Sequence, residues 1–252
     1  MPNCQYICRE KLTEMVYRTL SAAEKADIAA RILYEDNHIL AFNKRSGEIV
    51  QGDKTGDEPL AETLKAFIAD RDSKPGQVFM GVPHRLDRPV SGICLFAKTS
   101  KALERLNAML RDGSIHKTYR ALCCKAPAEK TATLENWLIR NEKANKSFIV
   151  PEGTPGAKLA RLIYTHIGDT ERYHLLEVQL LTGRHHQIRC QLAGIGCPIK
   201  GDLKYGAPRS NPDGGICLHA YRIEFTHPVR KEPVTITASS APGHTIPWVS
   251  LP

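Results

Sequence analysis

Apolar residues along the chain recur in short runs of two different periods, and the polar stretches between them order the elements. Ile32-Leu33-Tyr34 and His38-Ile39-Leu40-Ala41-Phe42 flank the turn Glu35-Asp36-Asn37, which predicts two short strands. Ahead of them, Ser21 with Glu24 three positions on forms a capping box for a helix over 21–30. Leu60, Leu64, Phe67 and Ile68 share one face of a second helix, capped by Asp57, carrying Pro59 in its first turn and running to about Ala69. A strand over 78–82 and the apolar run 93–97 follow. Thr99 or Ser100 then caps a helix with Leu103, Leu106 and Leu110 on one face, and Gly113 suits the position just past its end.

The second half is richer in strands. Residues 116–122 alternate as a strand with one basic face, 134–139 read as another, and 141–147 read as an exposed loop. The clearest hairpin pairs 159–167 with 173–181 across Gly168-Asp169. Residues 185–193 form a short helix closed by Gly194, and 216–225 and 233–238 are two closing strands. Strands and helices interleave irregularly, with short turns between neighbouring strands and no repeat of fixed period. That order predicts an α+β fold, a mixed and largely antiparallel central sheet with flanking helices, rather than a doubly wound parallel one. Residues 1–31 read as an N-terminal extension and 32–252 as one domain.

Composition narrows the class. With 42% apolar and 25% charged residues the chain can build a core, so disorder throughout is excluded. A net charge of +8 suits a polyanion, most commonly nucleic acid, although an anionic membrane surface would also accept it. Over 98–125, seven Lys/Arg stand against two Asp/Glu, an excess of five positive charges that a phosphate backbone or plain solvent would satisfy. No apolar window is long enough for a membrane-spanning helix, and residues 1–14 show no signal-peptide core, so a cytoplasmic location is expected. Eight cysteines without any C-x-x-C pair read as reduced, mostly buried thiols rather than a zinc site.

Two clusters carry candidate chemistry. His84-Arg85-Leu86-Asp87-Arg88-Pro89 sets an acid between two arginines, and Pro89 disfavours helix at Arg88, so the stretch is a loop beside strands. Two guanidinium groups beside one carboxylate favour its charged form, as a nucleophile or anchor requires, but a solvated ion pair also explains these six residues. Gly183-Arg184-His185-His186-Gln187-Ile188-Arg189 combines a turn, a helix start and fixed positive charge, fit to hold a phosphate or to aim a carboxylate, and equally suited to a solvated surface. Phosphate-binding loops, zinc-protease helices and nucleophile elbows are missing, and no residue pattern calls for a metal or cofactor.

Taken in order, His84-Arg85-Leu86-Asp87 with Ser91-Gly92 resembles the signature of the RluA-type pseudouridine synthases. So do Tyr34-Glu35-Asp36 with Asn43-Lys44 and Gly47, Lys117-Thr118-Tyr119-Arg120-Ala121, Gly183-Arg184 with His186-Gln187-Ile188-Arg189, Gly201-Asp202 with Tyr205-Gly206, and Leu218-His219-Ala220 with His227-Pro228. The resemblance runs from about 32 to 238 and is to the form without an S4 RNA-binding domain. It implies an RNA-modifying isomerase without metal or cofactor, in which Asp87 attacks a flipped uridine, Tyr119 stacks on the base and moves a proton, and Arg189 pairs with Asp87. Arg85 would fill the gap left in the RNA stack. His84, Leu86, Arg88, Lys117, Arg184, Gln187 and Ile188 are the further residues expected at the substrate. The implied partner is structured ribosomal or transfer RNA, and the expected working unit is a monomer. A glycosidase using Asp87 with a second acid, and an RNA-binding factor without chemistry, are the competing readings.

Overall fold

The structure, a computed structural model, describes residues 17–52, 55–74 and 76–239. In chain order the elements are α1 (Ala22–Ala30), β1 (Ile32–Glu35), β2 (Ile39–Lys44), α2 (Leu60–Arg71), β3 (Ser91–Ala97), α3 (Ser100–Asp112), β4 (His116–Cys123), β5 (Thr131–Asn141), β6 (Lys146–Val150), β7 (Lys158–Asp169), β8 (His174–Leu180), α4 (Gln187–Gly194), β9 (Leu218–Thr226) and β10 (Pro233–Thr237). The strands form one sheet in the order β1-β2-β3-β9-β4-β8-β7-β5-β6, with β10 beside β9. Every pairing is antiparallel except β3 with β9, a parallel contact of Ser91 with His219 and Gly92 with Ala220. This is the mixed, mostly antiparallel sheet that the order of apolar runs predicts.

Local chemistry explains most boundaries. Ser21 and Glu24 exchange side-chain and backbone hydrogen bonds at the start of α1, so the capping box forms as read. Thr99 caps α3 through the Ala102 amide, and Gly113 ends that helix in the left-handed conformation, φ 82°. β2 and β3 are buried at every position, the pattern of strands covered on both faces. Leu64, Phe67 and Ile68 of α2 and Leu106 of α3 join Phe42, Leu95 and Phe96 in the same core.

Several expectations differ: Gly168 and Asp169 lie inside β7, so the hairpin turn falls at 170–173, and three further differences follow. Residues 78–82 are not a strand: only Gly81 pairs, its N–H and carbonyl both meeting Ala97, while the Val78 amide donates to the Tyr17 hydroxyl. Pro83, which has no N–H to give a ladder, follows at once. Asp57 does not cap α2; Pro59 occupies that position, and the Asp57 carboxylate pairs with Arg88. Finally, β6 begins inside the stretch read as a loop, because the turn at Asn145 (φ 44°) folds 146–150 back onto β5.

The buried cysteines Cys94, Cys123, Cys190, Cys197 and Cys217 and the half-buried Cys124 are free thiols; Cys4 and Cys8 lie outside the described residues. No helix among the described residues is long and apolar enough to cross a membrane.

Candidate active site

The loop carrying Asp87 is braced from below by a buried charge. Lys44, at the end of β2 and fully shielded from solvent, donates from Nζ to the carbonyls of Arg45 at 2.8 Å, Arg88 at 3.0 Å and Val90 at 2.7 Å. Burial pushes this ammonium down to about 8. The Gly47 amide also donates to the Arg88 carbonyl, and the Val90 amide to that of Asp87. The segment is therefore held through its backbone, which leaves the Asp87 side chain to face outward.

That side chain meets two groups from the turn into α4. Arg189 Nη1 donates to Asp87 Oδ2 at 3.1 Å, and His186 Nε2 lies 3.4 Å from the same oxygen. The rest of the Arg189 guanidinium is fixed by Asp202: Nε donates to Oδ2 at 2.7 Å and Nη2 to Oδ1 at 2.8 Å. Burial works against the Arg189 charge, but the pairs with Asp202 and Asp87 outweigh it and raise the guanidinium above its usual value. Asp202 is itself only 1% exposed, so one buried ion pair orients the group that aims the carboxylate of Asp87.

Asp87, at 31% side-chain exposure, opens into a cleft of about 800 Å³. Tyr119 of β4 lines the same cleft; it is buried, and its phenol is pushed up by burial first and then by Cys94 and Asp87, so it stays protonated. Asp87, Tyr119 and Arg189 thus converge on one cleft from a loop, a strand and a helix.

The other expected residues divide. Arg85 is exposed and lines the cleft, as do Leu86 and Ile188 from its buried wall. Lys117 lines it too, its ammonium depressed by burial. His84 reaches the cleft, but its Nε2 accepts the Leu95 amide at 2.9 Å, and burial, helped by Lys117, pushes it down to about 3. Arg184 lines the rim while its Nε holds the Leu159 carbonyl. Gln187 is engaged in the turn itself: its oxygen accepts from Thr182 and the Arg184 amide, and its nitrogen donates to the Arg161 carbonyl. Arg88 lies outside the cleft and pairs with Asp57. The arginines flanking Asp87 in sequence form no ion pair with it; Pro89 and the Asp57 contact turn Arg88 the other way.

Four contributors escaped the residue-level reading. Lys44, His186, Asp202 and Tyr205 all sit in stretches that carry the family resemblance, yet only tertiary contact shows what each does. Tyr205 donates or accepts through a hydroxyl placed 2.8 Å from the Ser147 amide and 3.1 Å from His186 Nδ1.

Residues 38–194 match the sequence model of the RNA pseudouridylate synthase family. The chain is 32% identical over 219 residues to ribosomal large subunit pseudouridine synthase C of Vibrio vulnificus, covering 84% of this chain and 66% of that protein. Against the protein of the same name from Escherichia coli it is 34% identical over 232 residues, covering 86% and 69%. An uncharacterized RNA pseudouridine synthase YlyB of Bacillus subtilis is 32% identical over 236 residues, covering 89% and 75%. The chain therefore spans about two thirds to three quarters of the length of these relatives. In fold it is similar to the solved human RNA pseudouridylate synthase domain containing 4, with TM-score 0.70 at 21% identity over 86% of this chain and 90% of that one. With 38–194 enclosing Asp87, Tyr119 and Arg189, and with more than 30% identity over most of its length, this chain belongs to the RluA-type RNA pseudouridine synthase family.

Proposed function

We propose that this protein converts uridine to pseudouridine in structured RNA, with Asp87 as nucleophile. The observation that carries the reading is the ion pair of Arg189 with a partly open Asp87 on the wall that also presents Tyr119. A uridine turned out of its stack would bring C1′ of the ribose to the Asp87 carboxylate. As the bond from C1′ to the carboxylate forms, that from C1′ to N1 breaks and its electron pair passes into the uracil ring. The freed base turns, C5 bonds to C1′, the carboxylate leaves, the C5 proton is lost and N1 gains one. Atoms and electrons balance within the substrate, so this reading calls for no metal or cofactor.

Tyr119 offers a neutral aromatic face for the flipped base and a hydroxyl near the proton to be moved. Arg85, exposed on the cleft, would occupy the gap left in the RNA stack. Arg111, Lys117, Arg140 and Arg184 surround the opening with positive charge suited to phosphates. A monomer is the working unit in this reading, and the free thiols suit the cytoplasm. Residues 32–252 form the catalytic unit in this reading, with α1 as a brace joined to it through the pairs of Asp27 with Arg45 and of Arg31 with Glu48.

Ribosomal RNA is the first substrate to test, since two of the relatives named above are ribosomal large subunit pseudouridine synthases. RNA tritiated at uracil C5 is incubated with the protein, and label released to water is counted. Wild type releases label; Asp87→Asn releases none while RNA binding persists. Release by the variant, or no release from ribosomal or transfer RNA by wild type, overturns the proposal. A hydrolytic glycosidase would need a second acid in the cleft, and the only other one lining it among the described residues, Asp112, accepts hydrogen bonds from Ser114.

A further inference from the structure

We propose that His186 is a second positioning residue for Asp87, a neutral imidazole whose Nε2–H holds Oδ2 while the Tyr205 hydroxyl decides which ring nitrogen carries the proton. The inference rests on the reading of Asp87 as nucleophile.

Both grips on Asp87 fall on one atom. Arg189 Nη1 stands 3.1 Å and His186 Nε2 3.4 Å from Oδ2, and no described residue holds Oδ1. The carboxylate is thus fixed by one oxygen, and the other is left for the ribose carbon. A contact of 3.4 Å is long for a hydrogen bond, as is common before substrate closes a site.

The charge state of the ring follows from its surroundings. His186 has 5% side-chain exposure, and burial, then Arg189, His185, Lys204 and Arg140, drive it down to about 2. A neutral imidazole with its lone pair towards a carboxylate would be repelled, so the proton sits on Nε2. Nδ1 then needs a donor. The Tyr205 hydroxyl accepts the Ser147 amide at 2.8 Å and has two acceptors within reach of its one proton, the Ser147 carbonyl at 3.3 Å and Nδ1 at 3.1 Å; in this proposal it goes to the nearer, Nδ1. His185 stacks on the other side of the ring, with centroids 3.8 Å apart, and limits its tilt.

The backbone carries the mark of this arrangement. His186 lies in the left-handed region, φ 51°, uncommon for any residue with a side chain, although histidine is among those that adopt it more readily. No side-chain cap hydrogen bond at the start of α4 compensates for it. This backbone conformation at the start of α4 directs the ring toward Asp87. A neutral donor also has a chemical advantage over a second cation. Arg189 already holds the carboxylate charged, and another full charge would withdraw electron density from the attacking oxygen, whereas an N–H adds direction at lower cost to nucleophilicity.

Two measurements test this on the full chain. Nitrogen-15 NMR of the histidine rings between pH 5 and 8 should show His186 protonated at Nε2 only and unchanged across the range; an Nδ1–H tautomer, or titration within it, overturns the proposal. Tritium release at saturating RNA should fall at least about tenfold in His186→Leu with KM little changed, in line with the cost of a misaimed reacting group. His186→Gln, whose amide N–H reaches the same oxygen, should recover most of that rate. Equal losses in both variants, with equal falls in melting temperature, would reduce His186 to a structural part. If wild type released no label, the assignment of function would fail, while the tautomer result would still decide the geometry. If Asp87→Asn were inactive but the tautomer wrong, only the role of His186 would fall.

Discussion

A Cβ on Gly92 would stand 2.4 Å from the carbonyl oxygen of Ala220 and 2.5 Å from its nitrogen. These two residues meet in the parallel seam between β3 and β9, two positions that tie one part of the sheet to the other just beyond the Asp87 loop. Gly92 also has φ 110°, so a side chain meets both backbone strain and backbone atoms that have no room to move. Gly92→Ala is expected to destabilise by more than about 4 kcal/mol or to prevent folding. Gly113→Ala, at φ 82° with open space around it, should cost only about 1–2 kcal/mol. Urea unfolding of both variants checks the contrast, and equal midpoints would show that the seam tolerates a wider spacing.

Asp202→Asn removes the charge that fixes Arg189. Its carboxylate takes two hydrogen bonds from the guanidinium, and both side chains are nearly inaccessible. A buried pair broken on one side costs about 3–5 kcal/mol, because the remaining charge loses its partner. We expect a loss in that range by denaturant titration, together with slower tritium release. Unchanged stability would mean that Asp87 alone suffices for Arg189.

Arg85 and Arg88 are two residues apart around Asp87 but belong to different surroundings. Arg88→Ala should leave label release within about twofold of wild type, since an exposed pair with Asp57 contributes under about 1 kcal/mol. Arg85→Ala, in the cleft, should lower both RNA affinity and release. The reverse order would place the RNA on the other side of the loop.

Stability should fall in alkali. Burial raises the thiols of Cys94, to about 12, and Cys190, to about 11, whereas a thiol in the unfolded chain loses its proton near 8.5. Above that value the folded state binds the more protons, so the contribution of these groups is complete below about pH 8.5 and is lost as pH rises towards 11 and 12. Tyr119 and Tyr205 act in the same sense, while Lys44 and Lys117, depressed by burial, oppose it. The melting temperature in reducing buffer should therefore drop from pH 8 to 10, and less steeply in Cys94→Ala. A fall equally steep in Cys94→Ala and wild type would contradict the burial of that thiol.

What could be read from the chain beforehand followed from how local each cause is. Ser21 with Glu24, and Thr99 with Gly113, are self-contained signals, and both helices stand where those residues place them. β6 was not legible because 146–150 is an edge strand whose Ser147 amide is satisfied by the hydroxyl of Tyr205, 58 positions away. For the same reason the hexapeptide around Asp87 suggested its neighbouring arginines as partners, when the guanidinium that meets the carboxylate comes from 102 positions further on. Resemblance supplied that pairing; periodicity and spacing had no means to. The same limit hid Asp202 and His186, whose purpose exists only where α4 packs beside the loop.

Lys44, Asp87, Arg189, Asp202 and Tyr205 are spread over most of the chain, and each is placed by another of the set or by its neighbours. During synthesis, a nascent chain that stops before Asp202 has left the ribosome holds the aspartate but neither the carboxylate that steadies its arginine nor the phenol beside its histidine. In the proposed mechanism, competence to act on RNA therefore waits for residues encoded late in the chain, and shorter nascent chains would carry the basic cleft residues without the complete set around Asp87.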